Sequence, residues 1–107
     1  AAKRAWKYFE RNWNQQTGLV NAVDQFAWKT LWDQGSALLG IHAGRQLGLM
    51  TESRFDQRLS VMLKTLETLP IPIAGLPNKA YSTSTAQMRQ LDDTPDPEGA
   101  SGWSVLD

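Results

Sequence analysis

Three aspartates carry the sharpest chemical possibility in this sequence. Asp33 stands in Thr30-Leu31-Trp32-Asp33 and Asp107 closes Ser101-Gly102-Trp103-Ser104-Val105-Leu106-Asp107, each beside a helix start. Two carboxylates so placed are the pair a glycosidase uses, one protonating the leaving oxygen while the other activates water or attacks. Adjacent packed helices lie about 8 to 10 Å apart, which is compatible with the roughly 6.5 to 9.5 Å between the carboxyl groups of inverting enzymes. Asp24, in the connector before Thr30, is held in reserve. Each has a plainer role to set against this one: Asp33 as a helix-capping carboxylate, Asp24 as a solvated turn residue, Asp107 as a chain-terminal one.

Aromatic and amide side chains supply the rest of a sugar site. Five Trp and two Tyr are many for 107 residues, and aromatic faces suit the apolar faces of sugar rings. Trp6 and Trp13 fall on a helix packing face and belong to the core. Trp28, Trp32, Tyr81 and Trp103 fall outside it, open to binding or to packing. Asn78 and Lys79 can hydrogen-bond hydroxyls or an anionic sugar, or else hold a turn and face water. No metal or cofactor is expected. His42 has no Cys or second His as co-ligand, Ser82 to Thr85 lack a nucleophile elbow, and Pro95 and Pro97 interrupt the acidic run Asp92 to Glu98 that a calcium loop would need.

These residues need elements to hold them, and the periodicity predicts three helices. Ala2, Ala5, Trp6, Phe9 and Trp13 recur at three- and four-residue steps, giving a helix over about 2–16 that Gly18 closes. Thr30 with Asp33 is a helix-start signal for 31–48, whose expected buried stripe is Leu31, Trp32, Gly35, Leu38, Leu39, His42, Ala43 and Leu47. Small residues there, Gly40 and Gly44 among them, permit close neighbours. Thr51 starts a third helix over 52–68, with Phe55, Leu59, Met62, Leu63 and Leu66 inward, until Pro70 stops it. Residues 70–101 read as an irregular loop with one helical turn near Ala86 to Leu91, and a further helix begins near Trp103. The expected fold class is therefore all-α, antiparallel helical hairpins. The two long connectors share one rim and the short Gly48 to Thr51 turn lies on the other, so the loaded rim is the expected site.

Composition bounds the function from outside. Eleven basic and eleven acidic residues leave no net charge, although the basic surplus lies before Ala86 and the acidic surplus after it. Nothing here marks a nucleic-acid or anionic-membrane partner, and no apolar run has the roughly 18 residues of a membrane span. Without cysteine there is no disulfide or thiolate chemistry.

The motifs Thr17-Gly-Leu-Val-Asn21, Thr30-Leu-Trp-Asp-Gln-Gly-Ser36, Arg45 to Leu59, Leu76-Pro-Asn-Lys-Ala-Tyr-Ser-Thr83 and Gly102 to Asp107 together resemble the bacterial domain-of-unknown-function family 3131. The resemblance spans nearly the whole chain. That family looks akin to glucoamylase-like (α/α)6 toroids, in which inner and outer helices surround a sugar-binding cleft, and its members are typically parts of exported or membrane-associated proteins. The resemblance implies a carbohydrate-active role on a bacterial polysaccharide, an exported or periplasmic place, and Trp32, Asp33, Asn78, Lys79, Tyr81, Trp103 and Asp107 toward the cleft. The spacing from Thr30 to Ser101 sets one helical pair, so a closed ring of six would need on the order of 400 residues. The chain is thus expected to be part of a ring, completed elsewhere or by self-association. The alternative is a non-catalytic helical module for glycan binding or protein assembly.

Overall fold

A computed structural model describes residues 1–72 and 75–99. The periodic segment at the start forms α1 (Ala2–Asn12). It ends four residues before the expected boundary because Asn14 diverts the chain. The Asn14 side-chain oxygen accepts from the Gln16 and Thr17 amides at 2.9 and 3.0 Å, while its carbonyl accepts from Gly18 N at 2.7 Å. An Asn that bonds its own downstream backbone offers an alternative to the helix ladder. Gly18 then takes φ +73°, and a Cβ there would stand 2.7 Å from Met62 N.

Thr30 caps α2 (Leu31–Gln46) and Thr51 caps α3 (Glu52–Glu67), as their spacing predicts. Gly48, at φ +73°, turns the chain between the two. Gly40 and Gly44 of α2 receive the Phe9 and Trp6 rings, which lie so close that a Cβ at either glycine would collide. Those rings stack at 5.3 Å. Core formation follows from these contacts: Trp6, Leu19, Val20, Ala37, Ile41, Met50 and Met62 cluster, with Phe9, Trp13, Phe55 and Leu66 packed around them. Arg58 of α3 is 3% exposed, its Nη2 donating to both carboxylate oxygens of Glu10 at 3.1 and 3.2 Å and its guanidinium lying 4.3 Å over the Trp13 ring. That cation ties α3 to α1 through both charge and ring face.

The all-α expectation is corrected by a three-stranded antiparallel sheet, so the protein is mixed helix and sheet. β1 (Trp28–Thr30), β2 (Ala80–Ser82) and β3 (Met88–Arg89) pair in chain order. Lys29 stands opposite Tyr81, and Tyr81 opposite Met88. The stretch expected to be irregular from residue 70 onward thus contains a hairpin, and the expected helical turn at Ala86 to Leu91 is its returning strand. Strands of two or three residues are too short to display alternation, which is why periodicity missed them. The pairing does bring the two long connectors together, one supplying β1 and the other β2 and β3.

The buried face of α2 is also not the expected one. Gln34, Ala37, Ile41 and Gly44 are buried, whereas Trp32, Leu39 and Leu47 are exposed and His42 lies on the outer side. Apolar residues occur all round this helix, so the sequence leaves its rotation open. The sheet and the rings of α1 decide it.

Candidate functional site

The site grows from the junction where β1 runs directly into α2. Thr30 N and Oγ1 both donate to Asp33 Oδ2, at 2.9 and 2.8 Å, while Asp33 N donates to Thr30 Oγ1 at 3.2 Å. This reciprocal cap fixes the Asp33 carboxylate and leaves its Oδ1 without a hydrogen bond among the described residues. The carboxylate helps line a cleft of about 190 Å³ between α1, the connector and α2. Tyr8, Phe9, Asn21, Ser36 and Ala37 form the rest of its principal wall.

Tyr8 Oη donates to the Asn21 carbonyl at 2.6 Å. Burial raises its phenol above the ordinary value, and the negative charges of Asp24 and Asp33 raise it further. Both carboxylates therefore act on one hydroxyl. Asp24 itself lies on the surface, accepting from Asn12 Nδ2 at 2.8 Å and Arg11 Nε at 2.9 Å. The bond from Asn12 is the largest influence and holds its carboxyl below the usual range; desolvation opposes it, and the bond and charge of Arg11 add to the lowering. Asn12 is 2% exposed and organises the connector: its Oδ1 accepts from Gln25 N at 2.7 Å and Asn21 Nδ2 at 3.1 Å. Asn21 in turn accepts from Thr83 Oγ1 at 2.5 Å, joining the cleft to the sheet.

The other sequence-predicted residues lie apart from this cleft. Tyr81 is 1% exposed, with Oη donating to the Pro70 carbonyl at 2.8 Å and accepting from Asn78 N at 2.9 Å. Asn78 is fully buried and donates from Nδ2 to the Ala80 and Arg89 carbonyls, both at 3.1 Å. These two hold the hairpin together. Lys79 is half-buried beside them, and its carbonyl accepts from Leu31 N at 3.2 Å. Trp28 is half-buried on β1, its Nε1 donating to the Gln90 carbonyl at 3.0 Å. Trp32 is 58% exposed. Trp103 and Asp107 lie outside the described residues. Of the described candidates, Asp33 lines this cleft, Asp24 is bonded to Asn12 and Arg11 outside its lining, and the others lie elsewhere.

A larger hollow, of about 470 Å³, is lined by Pro70, Met88, Pro95, Pro97 and their neighbours. Its acidic side chain, Asp96, is buried, 3.4 Å from Asn78 Nδ2. Among the described residues no aromatic ring lines it, and the smaller cleft, with Tyr8, Phe9 and Asp33, is the better chemical candidate.

Sequence reasoning missed Tyr8, Asn21, Ser36 and Lys29. Tyr8 follows Lys7 at the edge of the apolar stripe, where a phenol has an apolar body and a wet tip. Lys29 gave no signal at all. It is 2% exposed, its Nζ donates to Gln34 Oε1, and burial lowers its ammonium to about 7 against the opposing pull of Asp33.

A small helix-and-sheet unit with a carboxylate-bearing cleft at a helix start is what the geometry defines. The chain belongs to the family described as Protein of unknown function (DUF3131), whose model matches residues 1–107. The family resemblance read from the motifs is thereby established, whereas its toroid corollary gains no support. No curated protein and no solved structure matches the chain significantly.

Proposed function

We propose that this domain is carbohydrate-active, recognising one ring of a bacterial polysaccharide in the cleft beside the start of α2. The observation that carries the reading is the convergence of a fixed carboxylate, a phenol, an amide and a hydroxyl with the Phe9 ring in about 190 Å³. Aromatic surface suits the apolar face of a sugar, and fixed acceptors suit its hydroxyls. The volume is below the roughly 300 Å³ at which pockets for larger ligands begin, which fits one ring rather than several. Recognition needs only Asp33; glycoside cleavage would also need a second carboxylate at a set distance across the scissile bond. The test is saturation-transfer NMR with a panel of neutral and acidic oligosaccharides, repeated on Ser36→Phe. Transfer to one sugar class that Ser36→Phe abolishes supports the reading; transfer to none, or transfer that the bulky side chain leaves intact, overturns it.

A second reading, a module for protein assembly, is favoured by a separate observation. Trp32 and Leu39 of α2 and Leu47 at its C-cap are 58%, 73% and 64% exposed, and large exposed apolar side chains are what an interaction surface supplies. Sedimentation of the wild type against Leu39→Glu tests it: association that the charge removes supports assembly, and a monomer at all concentrations rejects self-association.

A further inference from the structure

Lys29 is a buried cation for which the carbohydrate reading has no use. The side chain is 2% exposed and lines a small void together with Leu19, Leu31, Leu66, Leu69 and Tyr81, and its hydrogen bond among the described residues is to the uncharged Gln34 carbonyl oxygen. The charged and titratable groups facing it are few. From α2 the Asp33 carboxylate attracts it through space, but both Asp33 hydrogen bonds from neighbours are taken up by Thr30. From β2 the Tyr81 phenol is engaged with Pro70 and Asn78. From the end of α3, the segment after it and the first connector, Leu66, Leu69 and Leu19 line the small void that Lys29 also lines. An ammonium in such surroundings is disfavoured relative to water, and an amine is not.

The neutral form also answers a second deficit. Gln34 Nε2 is buried without a hydrogen-bond partner among the described residues. Loss of the proton gives Nζ a lone pair, so the amine can accept from the Gln34 amide as well as donate to it.

We propose that Lys29 is a proton-operated latch at the junction of β1 and α2, closed when its amine is neutral and loosened when the amine takes up a proton. Loosening lets the ammonium reach water and releases the contacts that depend on residues 29–34 being held: the Leu31 amide on the Lys79 carbonyl and the Thr30–Asp33 cap. The value of about 7 sets the lower edge of the range in which the latch responds to pH, and the ordinary lysine value sets the upper edge. The device stands whether or not the cleft binds sugar, because it concerns the order of the junction itself.

The sign follows from linkage. The open state binds the extra proton, so between the closed-state value of about 7 and the ordinary lysine value of about 10.4, opening becomes rarer by up to about tenfold per pH unit. Backbone amide exchange, expressed as protection factors at Leu31, Asp33 and Tyr81 from pH 6 to 9, reads this directly. Protection level below pH 7 and rising up to about tenfold per unit above it, with no such rise in Lys29→Met, is the expected result. A flat wild-type profile, or a rise that persists in Lys29→Met, overturns the latch. If Lys29→Met does not fold, NMR titration of lysine side chains in the wild type decides. A Lys29 midpoint near 7 supports the proposal, and one near 10 ends it.

Discussion

At the residue scale, the cleft depends on polar side chains that hold one another before they hold a ligand. Asn12 is the centre of that arrangement, satisfying Gln25 N and Asn21 Nδ2 while donating to Asp24 and to the Tyr8 carbonyl. Removing this buried side chain takes away four hydrogen bonds, three of which hold the connector to α1, so Asn12→Ala should destabilise the fold by about 1–3 kcal/mol, measured by urea denaturation. A surface substitution such as Gln15→Ala should change almost nothing. Asp24 makes a separate prediction about acid. Its carboxyl is held below the ordinary 3.8 in the folded chain, so its contribution is present at neutral pH and lost as pH falls through the folded value. Asp24→Asn should therefore flatten the decline of thermal stability below about pH 4, and an unchanged acid limb would show that Asp24 is uncoupled from folding.

At the scale of elements, the α2 glycines divide by what they face. Gly35 faces open space, so Gly35→Ala should stabilise the helix by about 0.5–1 kcal/mol. Gly44 sits under the Trp6 ring and Gly40 under the Phe9 ring; alanine at either should destabilise by about 1–3 kcal/mol through overpacking. Thermal melts of the three variants check both signs at once. The starts of α2 and α3 and the end of α2 were legible in the sequence because Thr30, Thr51 and Gly48 mark them by local chemistry that tertiary contacts did not override. The end of α1 was not, because Asn14 turns the chain before Gly18. The sheet was not legible, because Trp28–Thr30, Ala80–Ser82 and Met88–Arg89 place polar or charged residues inside: Lys29, Ser82 and their neighbours Asn78 and Thr83 are all buried. A strand whose inward positions are polar shows no apolar alternation to read. Nor was the rotation of α2 legible, because the buried Gln34 is explained only by Lys29 across the junction.

At the scale of the whole molecule, the candidate site was half visible in advance. Asp33 announced itself through its spacing from Thr30, and its capping role is realised in the same geometry that sets it against the cleft. Tyr81 and Asn78 were expected toward a sugar cleft from their place on the loaded rim and from the family resemblance, with packing and turn roles as the alternatives; they bond to the Pro70 carbonyl and to hairpin carbonyls. Residue type states what a side chain can bond, and only the fold states what it has already bonded. The cleft is where a carboxylate oxygen remains uncommitted beside aromatic rings, and carbohydrate recognition there is the central claim. Its most direct measurement is a ¹⁵N chemical-shift titration of the folded domain with the oligosaccharide class that shows saturation transfer. Saturable shifts are expected at Phe9, Asn21, Ala22, Asp33 and Ser36, with Tyr81 and Asn78 unmoved. Shifts confined to the hairpin around Asn78 and Tyr81, or no saturable shift at the start of α2, would contradict it.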